Sequence, residues 1–148
     1  GLSALSSVQG EFNLGGNAVL ANVDGLVGLT STGAGLSIWD NTTLENLSGL
    51  SQLTTVGGIL KIDGNSALTS LNGLHGLISV GSTLSVQENA SLVGIDGLGS
   101  LASVTGDLKV VDNDLLTHID ALSNITSVGG SLRVDGNHVL ENADLQLH

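Results

Sequence analysis

A period of 24 residues runs through the whole chain and limits what it can fold into. The decapeptide VGGILKIDGN at positions 56–65 returns as VGGSLRVDGN at positions 128–137, three periods later. At this spacing the sequence forms seven apolar columns, one of which holds Leu2, Leu26, Leu50, Leu74, Leu98 and Leu122. Among the 42 positions of these seven columns of six, Thr32 and Ala143 alone weaken the apolar rule. Repetition at such a period predicts a stacked solenoid.

An eighth column is polar and holds Asn17, Asn41, Asn65, Asn89, Asn113 and Asn137. Each asparagine follows an LxI-type segment, where a strand has to turn a corner, and a buried amide there needs partners or costs roughly 1–3 kcal/mol. We therefore predict an asparagine ladder whose amides bond the backbone of adjacent coils. The alternative is a set of unrelated turn asparagines at the surface. Glycosylation sequons begin at Asn41, Asn46, Asn89 and Asn124, and the two that are ladder residues should face inward.

The spacing inside each repeat predicts the elements of one coil. Segments such as LKI at 60–62 alternate inward and outward, which is typical of a short strand. After the asparagine, apolar residues recur every third position, which favours tight turns and extended connections, with a second short strand around the valine column. Glycines such as Gly57, Gly58 and Gly81 are expected at corners, for positive φ or close backbone approach. Helix content should be very low.

These elements predict an all-β fold, a parallel β-solenoid of six 24-residue coils that forms a single repeat domain over residues 1–148. The coils span about 2–25, 26–49, 50–73, 74–97, 98–121 and 122–145. Parallel strands stack at about 4.7–4.9 Å, so six coils should make a rod roughly 29 Å long. The sequence contains no proline, which agrees with a fold in which each coil's backbone amides are needed by its neighbours.

The repeat unit resembles a known family. The segment LSQLTTVGGILKIDGNSALTSLNG, from Leu50 to Gly73, is similar to the receptor L-domain and to related bacterial surface leucine-rich repeats, and the resemblance covers essentially the whole chain. It implies a right-handed solenoid in an extracellular or cell-surface setting, with binding or adhesion rather than catalysis. The chain departs from growth-factor receptor members because it lacks their cysteines and keeps a strict 24-residue period.

Acidity limits the partners of the chain. The formal net charge is −11, and Lys61, Lys109 and Arg133 are the only cations, which opposes binding to nucleic-acid backbones and anionic membranes. The sequence contains no run of about 18 apolar residues, so we predict no membrane span. The lack of cysteine excludes disulfides and thiol chemistry. No GxSxG motif occurs, and the histidines fall in four different columns, so we expect neither catalysis nor a cofactor. These histidines are His75, His118, His138 and His148.

Two polar columns leave other functions open. One contains Asp24, Asp96, Asp120 and Asp144, together with Ser48 and Asn72. Carboxylates stacked about 5 Å apart would favour calcium, although the same residues suit a turn that bonds its own backbone before glycine. The other column is a hydroxyl row of Ser7, Ser31, Thr55, Ser79, Ser103 and Ser127. Such a row suggests ice binding, but the residue two positions on is mostly glycine, so bonds from these hydroxyls to neighbouring backbone are the favoured interpretation.

The outward positions of the LxI strand form the most distinctive surface. All three cations share one outward column, and the next outward column reads Gly15, Trp39, Asp63, Gln87, Val111 and Asp135. Pairs such as Lys61 with Asp63 are expected to be solvated and worth under about 1 kcal/mol each. Trp39 lies beside a glycine and is a candidate anchor for a ligand. The candidate binding face consists of Trp39, Lys61, Asp63, Lys109, Arg133 and Asp135.

The two ends of the solenoid lead to the functional prediction. Solitary solenoids normally carry atypical polar end repeats, whereas the pattern here runs from Leu2 to Leu140, with Phe12 and the tail LQLH as the nearest approach to caps. Seven open columns would cost on the order of 10 kcal/mol. We predict a non-catalytic extracellular solenoid with a structural or adhesive role, within an array of flanking repeats or stacked end to end into a fibre. The alternatives are a discrete protein- or glycan-binding module around Trp39 and an ice-binding protein.

Overall fold

The structure is a computed structural model, and it describes residues 1–141 of the chain. Predictions that concern Ala143, Asp144, His148 and the LQLH tail therefore lie outside the described residues. Within residues 1–141 the chain contains strands and short 3₁₀ turns but no α-helix, which confirms the prediction of very low helix content.

Two parallel six-stranded sheets run along the molecule, and each coil gives one strand to each sheet. The short-strand sheet contains β1 (Ser7–Val8), β3 (Ser31–Thr32), β5 (Thr55–Val56), β7 (Ser79–Val80), β9 (Ser103–Val104) and β11 (Ser127–Val128). The long-strand sheet contains β2 (Phe12–Gly15), β4 (Leu36–Trp39), β6 (Leu60–Asp63), β8 (Leu84–Gln87), β10 (Leu108–Val111) and β12 (Leu132–Asp135). The chain is thus a parallel β-solenoid.

The register of both sheets equals the sequence period. Leu36 pairs with Leu60 and Thr55 pairs with Ser79, each 24 residues apart. Side chains in one column therefore stack directly on one another from coil to coil, with strands spaced by about 4.7–4.9 Å. The inward-facing residue types repeat because each coil has to offer the same packing surface to the next coil.

The third side of the solenoid contains five 3₁₀ turns within residues 1–141. These turns span Asp24–Leu26, Ser48–Leu50, Asn72–Leu74, Asp96–Leu98 and Asp120–Asn124. In the second, the side-chain oxygen of Asn46 accepts a hydrogen bond from the N–H of Ser48 (3.1 Å) and so supports the start of the turn. Apolar residues at every third position point inward from this side, and Leu47, Leu50 and Leu53 are all at most 1 % exposed.

The core runs between the sheets and the turns, through the middle of the solenoid. Inward leucines and isoleucines of the central coils, such as Leu60 and Ile62, are fully buried, and burying each contributes roughly 1.5–3 kcal/mol. The polar exception Thr32 is 2 % exposed. Its hydroxyl donates to the carbonyl oxygen of Ala34 at 3.2 Å, which removes the cost of an unpaired buried group.

Glycines at two places allow successive coils to approach closely. A Cβ atom on Gly73 would lie 1.7 Å from the carbonyl oxygen of Leu47, and one on Gly57 would lie 2.2 Å from that of Gly33. Gly57 was expected to provide either positive φ or close approach, and the structure assigns it to close approach. Positive φ occurs at a different column, described with the ladder below.

Candidate functional site

The asparagine ladder is present and organises the corner after the long strand. Asn41, Asn65, Asn89 and Asn113 are fully buried. The side-chain oxygen of Asn65 accepts from the backbone N–H (3.2 Å) and the side-chain amide (3.2 Å) of Asn41. The Asn65 amide in turn donates to the carbonyl oxygens of Ile38 (3.0 Å) and Asp63 (3.2 Å). The backbone N–H (3.1 Å) and the amide (3.4 Å) of Asn65 also donate to the side-chain oxygen of Asn89 in the next coil. The interior asparagine therefore joins three coils, as predicted, and the sequons at Asn41 and Asn89 do face inward.

The hydrogen bonds that link one ladder asparagine to the next all run in one direction. An amide in one coil donates to the side-chain oxygen in the next coil, from Asn17 to Asn41 at 3.0 Å and so on to Asn137. The side-chain oxygen of Asn17 accepts no hydrogen bond from any of residues 1–141, and this residue is exposed. The N-terminal end of the ladder thus presents an acceptor without a donor.

The residue before each ladder asparagine adopts a left-handed conformation in every coil. The column consists of Gly16, Asp40, Gly64, Glu88, Asp112 and Gly136, with φ between 50° and 68°. On a strand, inward side chains are two positions apart, but Asn65 follows the inward Ile62 by three positions. The backbone therefore has to accommodate one extra residue for the Asn65 amide to point inward. A left-handed residue does this, at a cost for non-glycine residues. Sequence reasoning missed this column because glycine, aspartate and glutamate share it.

An open apolar groove lies at the N-terminal end of the solenoid. It has a volume of about 220 Å³ and is lined mainly by Leu2, Phe12, Leu14, Leu20, Val23 and Leu26. Phe12 and Leu14 are only partly buried, whereas their counterparts Leu36 and Ile38 in the second coil are at most 1 % exposed. Leu2 is 54 % exposed. Phe12 therefore lines the open end but does not close it.

Trp39 lies on the outer face of the long-strand sheet, over Gly15 of the first coil. A Cβ atom on Gly15 would lie 2.1 Å from Cε2 and 2.4 Å from Nε1 of the indole, so the ring occupies the space that any other residue would fill. The Trp39 residue is 40 % exposed. In register, its other neighbour is Asp63. The sequence had placed a tryptophan beside a glycine, and the structure shows the contact between them.

All three cations of the chain are paired on this face. Lys61 Nζ lies 2.9 Å from Asp63 Oδ2, and Arg133 Nη2 lies 3.0 Å from Asp135 Oδ2. Lys109 has Val111 at the equivalent position and pairs instead with Asp107, at 3.1 Å. The candidate binding face is therefore split into two groups, because Ser85 and Gln87 of β8 separate Trp39, Lys61 and Asp63 from Lys109, Arg133 and Asp135.

Asp107 also ties the fifth coil to the sixth. Its Oδ1 accepts a hydrogen bond from the backbone N–H of Ser131 at 2.8 Å. This bond, and next the interaction with Lys109, hold the pKa of the Asp107 carboxyl below its ordinary value. Sequence reasoning did not single out Asp107, although its place two residues before Lys109, just ahead of β10, was a usable signal.

The histidines and the carboxylate column serve surface and turn contacts. His118 Nε2 lies 3.2 Å from Asp96 Oδ1, and His138 Nδ1 lies 2.7 Å from Asp114 Oδ1. Asp24 begins a 3₁₀ turn, where its N–H donates to the side chain of Asn22 at 3.1 Å. Within residues 1–141 no group of three or more histidine, aspartate or glutamate side chains is placed to hold a metal ion.

The hydroxyl row lies on the short-strand sheet, at the first residue of each strand. Hydroxyl bonds to backbone on this side come from the preceding column: Thr30 donates to the carbonyl oxygen of Ser6 (2.9 Å) and Thr54 to that of Thr30 (3.1 Å). Within residues 1–141, no hydroxyl of the row itself donates such a bond, contrary to the sequence-based interpretation. Ice binding stays a prediction.

Comparisons with protein-family models, with curated proteins and with solved structures find no match for this chain. The resemblance to the receptor L-domain therefore stays a prediction from the residues of the repeat. Across residues 1–141, no helix combines the length and the apolar character that crossing a membrane requires.

Proposed function

We propose that this chain is a non-catalytic structural or adhesive solenoid whose N-terminal end is continued, head to tail, by another coil of the same 24-residue register. The extracellular or cell-surface setting is proposed from the resemblance of the repeat to the receptor L-domain. The observation that carries the proposal is the open first coil, in which the side-chain oxygen of Asn17 has no donor among residues 1–141.

The polarity of the ladder favours head-to-tail continuation. A preceding coil would bring an asparagine whose backbone N–H and side-chain amide donate to Asn17 Oδ1, as Asn17 itself donates to Asn41 at 3.1 and 3.0 Å. The same coil would pair with the edge strands β1 and β2, which lie at one end of each sheet. Two N-terminal ends placed face to face would oppose acceptor to acceptor, which gives no ladder bond.

The apolar groove supplies the energy for such docking. Leu2, Phe12, Leu14 and Leu20 would become buried, and because all four are already partly covered, each would contribute a part of the roughly 1.5–3 kcal/mol that burial of a fully exposed side chain provides. Association of two separate chains costs about 4–15 kcal/mol, whereas a flanking repeat of the same chain avoids that cost. Heterologous contacts that do not close produce fibres.

The test is to extend the chain by one coil. A copy of residues 50–73 is fused ahead of Leu2, and a matched version carries leucine in place of the ladder asparagine of the added coil. We expect the first fusion to raise the melting temperature and to show protected amides in the added coil by hydrogen exchange, and the second to gain much less.

The preceding coil can come from a second copy of the chain or from a flanking repeat of the same chain. Sizing and negative-stain imaging of the 148-residue chain over a range of concentrations distinguish these two cases. Rods that lengthen with concentration indicate stacking of copies. A monomer that the added coil stabilises indicates flanking repeats. The proposal is wrong if the chain stays monomeric and the added coil is unprotected and without effect on stability.

A further inference from the structure

We propose that Trp39 and the ion pair beside it form a binding site for a neutral sugar ring. The site consists of Trp39, its seat Gly15, and Lys61 and Asp63 of the next strand. It lies on the outer face of the long-strand sheet, whereas the N-terminal groove is lined by inward side chains. The inference does not depend on the proposed function.

The indole of Trp39 packs on Gly15 and remains partly exposed to solvent. Since Cε2, Nε1 and Cδ2 all lie within 2.5 Å of the position of a Cβ atom on Gly15, the ring covers that residue's outward side. Trp39 still exposes 40 % of its surface. An aromatic ring with few rotatable bonds and one face already packed loses little conformational freedom when a ligand covers the other.

Hydrogen-bonding groups lie on the strand that follows Trp39 in the sheet. Asp63 is the register partner of Trp39, one strand away at about 4.7–4.9 Å. The Asp63 side chain is 26 % exposed and that of Lys61 is 40 % exposed, and the two form an ion pair of 2.9 Å. The carboxylate accepts and the ammonium donates hydrogen bonds, so both can engage ligand hydroxyls.

This combination favours a pyranose over other ligand classes. One face of a sugar ring is lined by C–H groups that pack on an aromatic surface, and its rim of hydroxyls both donates and accepts hydrogen bonds. The Lys61–Asp63 pair makes the patch locally neutral, and the net charge of −11 disfavours anionic ligands such as nucleic acids and sulfated glycans. The nearby ammonium group of Lys61 disfavours a cation over the indole.

The only tryptophan of the chain is Trp39, so intrinsic tryptophan fluorescence reports this site alone. The chain is titrated in solution with the methyl pyranosides of glucose, galactose, mannose and N-acetylglucosamine. In a second experiment, a glycan array of neutral oligosaccharides is probed with the chain. We expect a saturable fluorescence change for at least one of these sugars, with a Kd in the range of about 1 mM that is typical of one small contact.

Three variants locate the binding. Gly15→Ala displaces the indole without removing it and should weaken binding at least tenfold, while Gly10→Ala, where an added Cβ meets nothing within 4 Å, should bind like the unaltered chain. Asp63→Asn keeps the shape of the rim but removes its charge and should weaken binding by about tenfold. Circular dichroism confirms that each variant keeps its strands.

The proposal is overturned if no neutral sugar on either panel binds the unaltered chain. It is equally overturned if Gly15→Ala and Gly10→Ala bind the same sugar with equal affinity, or if sulfated glycans or proteins bind at Trp39 in preference to neutral sugars.

Discussion

The third coil and the first coil carry the same inward pattern in different surroundings. Asn65 is fully buried and bonded on both sides, whereas Asn17 is exposed and bonded on one side only. A Cβ atom on Gly73 would lie 1.7 Å from backbone, while one on Gly25, in the same column, would meet nothing closer than 3.8 Å. A repeat therefore gains its stability largely from the coils on either side, and only partly from its own sequence.

Breaking the ladder in the interior should lower the stability of the chain most. Asn65→Leu removes the acceptor of the Asn41 N–H and amide and the donor to Ile38. With roughly 1–3 kcal/mol for each buried group left unpaired, we expect a loss of about 3–6 kcal/mol. Asn17→Leu, at the open end, should cost under about 1 kcal/mol. Urea denaturation of both variants measures the change in the free energy of unfolding. Equal losses would contradict the expected difference between interior and terminal ladder residues.

The next effect tests close approach in the column that contains Gly25 and Gly73. Gly73→Ala forces a Cβ atom against the Leu47 carbonyl, so the backbone has to shift, and we expect a loss of about 2–4 kcal/mol. Gly25→Ala should change stability by no more than about 0.5 kcal/mol. Thermal melts of the two variants provide the measurement. A Gly73→Ala variant as stable as the unaltered chain would mean that the coils can separate without cost.

The smallest effect concerns a surface contact between the last two described coils. The Ser131 N–H and then Lys109 lower the pKa of Asp107, so its charged form stabilises the fold above the ordinary aspartate pKa. That contribution is lost as pH falls through the lowered pKa of the folded state. Asp107→Asn should therefore have a slightly lower melting temperature than the unaltered chain at pH 7, and the difference should vanish in strong acid. A difference that is constant with pH would contradict this account.

The sequence was sufficient to predict the solenoid, its two strands per coil and the ladder, because burial demands the same residue type at the same place in each coil. It was not sufficient for the left-handed column, where Glu88 and Gly64 adopt one backbone conformation with different side chains. Surface pairing was only partly predictable. Lys61 pairs two residues ahead, as expected, but Lys109 pairs two residues back because Val111 offers no charge.

The hydroxyl row shows a different limit. Its residues were expected to bond neighbouring backbone, yet Thr30 and Thr54, one position earlier in the sequence, make those bonds. A shift of one residue on an extended chain moves a side chain to the other face. The column spacing gives the position of a residue along the coil, but the turn geometry decides where its hydroxyl points.

The constant 24-residue register between paired strands, such as Leu36 with Leu60 and Thr55 with Ser79, has a consequence for how the chain acquires its structure. Each closed loop has the same modest length, so order can nucleate at any pair of neighbouring turns and spread outward one step at a time. Fraying proceeds in the opposite sense, from the termini toward the middle. A chain built in this way tolerates the gain or loss of whole units far better than the insertion of a single amino acid.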